Sequence, residues 1–359
     1  MKKSLIALAV AGVVATPAFA ASSNVDFYGK FRVSLDNLNN SIGWQLNDET
    51  SRVGFKGSED LGGGLKAIYQ WETGFSVGAV GSITGTNVGG GPANNPAAGG
   101  LGSQRNTFVG LSGDFGTAFV GRHDTPYKLG GSADLFADTL ADAQNTKALC
   151  IICEDLRVDN AIAYVSPTIS GFHGAIAIVP GQGSGNNANG LADAVSLVGV
   201  YANGPLLVTA GYESLGKKIL GNGPAGVPPS VDAANAQTAW KLNAAYTIGD
   251  LKLGGTYENI SHIGGSSLAN NGQKDYLVSA AYGMGPITLA IQYGVRNPDG
   301  ANNNLTDWTV GAIYSLSKRT NAYVGYANYN PEKNASALPG TLANDKTLGA
   351  FTLGLNHDF

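Results

Sequence analysis

The sequence predicts an all-β fold: a transmembrane antiparallel up-and-down β-barrel of 16 strands. Three observations carry this prediction. Beyond the N-terminal segment the chain is almost entirely alternating segments of about ten residues, the length that crosses a bilayer when tilted. The connections between them alternate strictly between short and long. Charged residues are only 13% and glycines number 52, yet no later run is apolar and long enough for a transmembrane helix. Only helices and closed barrels pair every backbone group in lipid, so an exported chain without a helical span fits a barrel.

The N-terminal stretch MKKSLIALAVAGVVATPAFA has Lys2 and Lys3, an apolar run, and then Ala18-Phe19-Ala20. That order is an export signal with an A-x-A cleavage site. The apolar run is too short for a membrane anchor. Residues 1–20 are therefore expected to be removed, leaving 21–359 as one barrel domain. Without Lys2 and Lys3 the balance is 20 basic against 26 acidic residues, a net −6. Nucleic acid wants a basic face, so it is not an expected partner.

The sixteen segments start near Val25, Thr50, Leu65, Arg105, Gly116, Arg157, Gly171, Ala194, Pro205, Thr238, Leu251, Asp275, Ile287, Asp307, Thr320 and Leu348. In the first, VDFYGKFRVSL, Phe27, Phe31, Val33 and Leu35 share one face while Lys30, Arg32 and Ser34 share the other. A barrel in lipid would turn the apolar face outward and the charges into the lumen. ITLAIQYGV, WTVGAIYSL and WKLNAAYTI alternate as clearly. The fourth segment is ambiguous. If Arg105 faces inward, regular alternation turns Val109 and Leu111 inward too, with Phe108 and Gly110 outward.

The short connections are SEDLGGG, SGDFG, PTIS, ANGP, IGD, GMGP and SLSKR; the long ones are polar and rich in Gly, Asn and Pro. A Greek-key sandwich would not keep that order. A propeller would show a four-strand repeat, and none is visible. Strands running toward the short turns end on an aromatic of the apolar face: Phe55, Tyr164, Tyr201, Tyr246, Tyr282, Tyr314 and the final Phe359. Aromatics at one depth predict a girdle at a membrane interface. A last strand that ends on the last residue can pair with the first and remove both edges.

Cys150 and Cys153 form CIIC. In an oxidising compartment they are a candidate local disulfide, with free thiols the alternative. Zinc would need two further ligands that the neighbourhood does not offer, so no metal is expected. The four histidines, His123, His173, His262 and His357, sit in no catalytic motif, and no strand–helix unit turns the glycine runs into a phosphate cradle. Neither an enzymatic activity nor a cofactor is expected; a barrel-wall lipase is the weaker alternative.

Several stretches together resemble the general diffusion porins of Gram-negative outer membranes: VDFYGK, SRVGFKGSEDLGGGLKAIYQWE, RNTFVGLSGDFGTAFVGR, RVDNAIAY and the terminal GLNHDF. The resemblance covers the mature chain in pattern and its first half in motif. It implies a sixteen-stranded homotrimer in outer-membrane lipid, delivered by barrel-assembly machinery that reads the C-terminal strand. It also implies a third loop, from Asp124 to about Leu156, that folds into the barrel and opposes a basic wall. By motif, Lys30, Arg52, Arg105 and Arg157 match that wall, with Arg122 and Arg32 as secondary candidates. Asp134 and Asp138 match the loop acids. The residues agree independently: ADLFADTLADAQ has helical spacing that places Asp134, Asp138 and Asp142 on one face. The family's usual loop tip is absent here and CIIC is added, which leaves the loop's shape open. The second long loop (Ser76–Gln104) is expected to reach a neighbouring protomer. The expected function is passive diffusion of small hydrophilic solutes and ions through a water-filled gap whose charge rings tune ion preference. A barrel plugged for a structural or adhesive role is the alternative, but sixteen strands enclose a lumen too wide for side chains to fill.

Overall fold

A computed structural model describes residues 25–40, 42–77, 103–144, 150–182, 189–220, 234–266, 271–300, 302–333 and 346–359. The expected export signal 1–20 and most of the second loop lie outside these residues.

The described residues form one closed antiparallel barrel of sixteen strands. They are β1 (Val25–Leu38), β2 (Gly43–Asp48 and Arg52–Gly62), β3 (Leu65–Gly74), β4 (Ser103–Gln104 and Thr107–Gly113), β5 (Gly116–Asp124), β6 (Arg157–Val165), β7 (Phe172–Val179), β8 (Ala194–Asn203), β9 (Leu206–Leu215), β10 (Gln237–Ile248), β11 (Leu251–Ser261), β12 (Gln273–Met284), β13 (Ile287–Pro298), β14 (Leu305–Ser315), β15 (Thr320–Pro331) and β16 (Leu348–Asp358). Closure pairs β1 with β16, from Lys30 opposite Asp358 to Leu38 opposite Ala350. Gly29 and Phe359 exchange both backbone hydrogen bonds below that run. Gly29 lies tight against the Phe359 ring: a Cβ there would fall 2.2 Å from it, so the ring would have to turn aside.

Two strands are interrupted, and both interruptions flank arginines. The two pieces of β2 pair with one β1, breaking at Glu49-Thr50-Ser51 just before Arg52. The two pieces of β4 pair with one β3, breaking at Arg105-Asn106. Sequence alternation misses the upper piece of β2, because the break interrupts the period. The break in β4 also corrects the expected register. Arg105 reaches the lumen, yet Val109 and Leu111 are exposed on the outside, while Phe108 packs inside against Phe119 and His123. An irregularity lets the strand change face without reversing its whole apolar set.

Most outward residues of the wall are apolar and exposed, as lipid requires. Of the aromatics expected near the short turns, Phe55, Tyr164, Tyr246, Tyr282, Tyr314 and Phe359 are exposed, and Tyr201 is half-buried because Phe172 packs on it at 4.3 Å. A second row, not anticipated, lies toward the long loops: Tyr212, Trp240, Tyr257, Tyr276, Tyr293, Trp308, Tyr326, Phe351 and Trp44, with Trp240–Tyr257 at 4.9 Å and Tyr257–Tyr276 at 5.1 Å. Its signal was legible: Trp240 and Tyr246, Tyr276 and Tyr282, and Trp308 and Tyr314 share the same spacing on the same face.

The apolar core is inside the barrel, between the third loop and the far wall. Phe136, Leu140, Ile151 and Ile152 of the loop pack on Leu277, Ala290, Leu305, Ala327 and Tyr329 of β12 to β15. Each fully buried side chain of this size stabilises the seat by about 1.5–3 kcal/mol. The loop is thereby fixed across the lumen.

Candidate functional site

The loop leaves β5 through a short helix, α1 (Pro126–Leu129), capped by Thr125 Oγ1, which accepts from Lys128 N at 3.3 Å. Pro126 at the first position suits this turn. Tyr127 is buried and donates from its hydroxyl to Glu258 Oε1 at 3.0 Å, tying the loop to β11.

The expected helix over Asp134–Asp142 does not form; that stretch is a series of turns. The aspartates themselves prevent it. Asp134 accepts from the backbone N–H of Phe136 (2.8 Å) and Ala143 (3.1 Å), and Asp142 accepts from those of Asp138 (3.0 Å) and Gln144 (2.8 Å). Asp side chains that satisfy local N–H groups compete with a helix. Asp134 and Asp142 thus organise the loop and do not face the basic wall. Burial pushes the Asp134 carboxyl up to about 6, and burial with the neighbouring Asp134 charge pushes Asp142 well above the usual range.

Asp138 alone of the three meets the wall. Arg52 Nη2 lies 3.0 Å from Asp138 Oδ2, and Arg32 Nε lies 3.9 Å from the same oxygen. Thr50 Oγ1 donates to Asp138 Oδ1 at 2.7 Å. Burial by itself would raise the Asp138 carboxyl, but Arg52 and the Thr50 hydrogen bond hold it below the usual carboxylate range. Both partners are strained: Asp138 has φ 58° and the β-branched Thr50 has φ 72°. Such conformations persist only where the surroundings impose them, and they concentrate at functional sites.

The rest of the wall is a ladder of alternating charge across neighbouring strands. Arg105 Nε pairs with Glu72 Oε1 at 2.6 Å, and Tyr28 donates to Glu72 Oε2 at 3.0 Å. Arg157 pairs with Asp124 at 2.9 Å and donates to Asn106 at 2.8 Å. Lys128 bridges Asp124 (3.1 Å) and Asp155 (2.9 Å), which together override burial and hold its ammonium above its ordinary value. Arg32 pairs with Asp358 at 2.7 Å. Lys30 stands in register between Arg52 and Asp358 and forms no ion pair within 4 Å among the described residues.

Lys30, Arg32, Arg52, Arg105 and Arg157 are therefore gathered on one inner wall facing Asp138. Arg122 departs from the expectation. It follows Gly121 on the face of the exposed Val120, outside the barrel, and pairs with Asp159 at 2.7 Å. The carboxylates Glu72 and Asp124 were missed. Glu72 alternates with the outward Trp71, so its inward face was legible; Asp124 closes a bulged strand, where alternation fails. Cys150 and Cys153 are joined in a disulfide, so neither thiol is free.

A model of the Gram-negative porin family matches residues 7–334. The chain belongs to that family. The porin is 30% identical to the major outer membrane protein P.IB of Neisseria gonorrhoeae over 95% of this chain and 97% of that one. It is 29% identical to outer membrane porin protein 32 of Delftia acidovorans over 94% and 92%. Among solved structures, an anion-selective porin from Comamonas acidovorans superposes with a TM-score of 0.74 at 23% identity, covering 94% of this chain and all of that one. A trimer form of OmpT from Vibrio cholerae has a TM-score of 0.64 at 18% identity, covering 94% and 100%. The porin resides in the outer membrane and is a water-filled channel for passive diffusion of small hydrophilic solutes and ions.

Proposed function

We propose that Lys30, Arg32, Arg52, Arg105 and Arg157, set against Asp138, are the constriction of this channel, and that it favours anions modestly. The observation that carries the reading is the pairing around Asp138. Of the three expected loop aspartates only Asp138 meets the wall, held by Arg52 and Arg32, while Glu72 and Asp124 pair Arg105 and Arg157. Lys30 has no ion pair within 4 Å among the described residues, so five basic groups face four carboxylates counting Asp358. Charged rings across a narrow aqueous gap act on permeating ions in this way. The name of the Comamonas relative, an anion-selective porin, is in line with it.

The same reading includes a homotrimer. The outer aromatic row runs over β9 to β16 and onto β2 but, among the described residues, has no member on β4 to β6, where Thr107, Arg122 and Asp159 stand at the outer end of the wall. An ion pair facing hydrocarbon is costly, whereas a neighbouring protomer would cover it. Residues 1–20 are read as a cleaved export signal, 21–359 as the single porin domain, and the C-terminal strand as the signal for barrel-assembly machinery. No catalytic role is assigned, since His123 is wedged between Phe108 and Phe119 with Nδ1 against Asp124 O.

Planar-bilayer recording tests the reading. Conductance in steps of three with a reversal potential on the anion side supports it. A non-conducting insertion would favour the plugged barrel, and cation preference would remove the wall from the selectivity role.

A further inference from the structure

CIIC is the motif that the channel reading leaves unexplained, and the wall opposite it has an unusual feature. Four loop side chains press on four inward glycines of neighbouring strands. Tyr127 lies against Gly211 of β9, Ala133 against Gly254 of β11, Phe136 against Gly311 of β14, and Ile151 against Gly294 of β13. A Cβ at Gly294 would fall 2.7 Å from Ile151 Cγ2, and one at Gly311 would fall 2.8 Å from Phe136 Cε1. Neither glycine has a positive φ, so their role is space.

The Ile151 seat is built most closely. Cys150 and Cys153 close the turn, with Cα atoms 5.2 Å apart. The backbone N–H groups of Ile151 and Ile152 both donate to Ala143 O at 2.9 Å, and Cys153 N donates to Glu258 Oε2 at 2.9 Å. Both isoleucines are fully buried. Three successive inward positions of β13 hold the loop. Gln292 accepts from Leu135 N (3.2 Å) and donates to Ala141 O (3.1 Å), Gly294 receives Ile151, and Arg296 Nη1 donates to Cys150 Sγ at 3.7 Å. Interiors packed at this density transmit displacement instead of absorbing it. A shift at Gly294 therefore reaches Asp138 on the far side of the same loop.

We propose that Ile151, held by the Cys150–Cys153 staple in the Gly294 socket, is a positioning residue that sets the distance from the loop to the basic wall, and with it the size limit and ion preference of the channel. The proposal rests on the constriction reading and assigns its geometry to residues that touch no permeating solute.

The test is single-channel conductance and reversal potential of the full-length porin carrying Gly294→Ala, Ile151→Ala, and both. Gly294→Ala should push the loop toward the arginines, lower the conductance and shift the reversal potential. Adding Ile151→Ala should return both values toward wild type, a coupling that simple loss of packing does not produce. Should Gly294→Ala not assemble, Cys150→Ser with Cys153→Ser is the second variant, and it should broaden the open-channel current as Ile151 loses its fixed seat. Wild-type conductance and potential in Gly294→Ala would overturn the proposal, as would additive effects in the double variant or an unchanged current in the serine pair. Arg52→Ala in the same series separates the two ideas: if it shifts the potential while the Gly294 and Ile151 variants do not, the constriction stands and the positioning role falls.

Discussion

Replacing Arg52 by alanine removes the guanidinium that sits 3.0 Å from Asp138 where the loop meets the wall. An ion passing about 6 Å from that charge feels about 0.7 kcal/mol in water. A Debye length of about 10 Å at 0.1 M salt reduces this to about 0.4 kcal/mol. Against an RT of about 0.59 kcal/mol, that is roughly a twofold loss of anion attraction and a twofold relief of cation repulsion. The permeability ratio should therefore move roughly fourfold toward cations, more at low salt and less at 1 M, where the Debye length is about 3 Å. Asp138→Asn should move it the opposite way. The assay is the reversal potential across a planar bilayer under a salt gradient. A potential unchanged by Arg52→Ala at low salt would refute the placement of Arg52 in the ion path.

Three further outcomes are expected. Gly29→Ala should lower the temperature at which the folded barrel converts to its unfolded band on gels, because the new Cβ meets the Phe359 ring at 2.2 Å and overpacking costs about 1–3 kcal/mol; an unchanged temperature would show that the closing seam adjusts freely. The Asp134–Asp142 pair binds protons more tightly in the folded loop than in the unfolded chain, since burial pushes Asp134 from 3.8 up to about 6. Its contribution to stability therefore falls as pH rises from about 4 through about 6, and thermal unfolding between about pH 4 and 7 should show a decline that Asp134→Asn flattens; an identical slope in the variant would clear the pair of that role. Arg122→Ala should lower the temperature at which oligomers dissociate and leave ion selectivity alone; the reverse pattern would put Arg122 in the lumen.

The fourth strand marks the limit of local pattern. Regular alternation forced Arg105 and Val109 onto one face, and only the break at Arg105-Asn106 lets one face the lumen and the other lipid. Arg122 failed for the opposite reason. Its place in a family-like motif suggested the lumen, while simple alternation with the exposed Val120 puts it outside. The loop aspartates failed differently: helical spacing was real, but their carboxylates hydrogen-bond the backbone that a helix would have used.

The sequence by itself determined the strand number, the order of turns, the face that meets lipid in every strand but β4, and the closing of β16 on β1, because alternation and turn chemistry are local properties within a few residues. Only the tertiary structure decided which loop carboxylate meets the wall, where the arginines find their acids, and how CIIC is seated. Those contacts join residues far apart in the chain, such as Arg52 and Asp138 across 86 positions, and they depend on two breaks in β-strands and on wall glycines whose empty space is visible only once the barrel is closed.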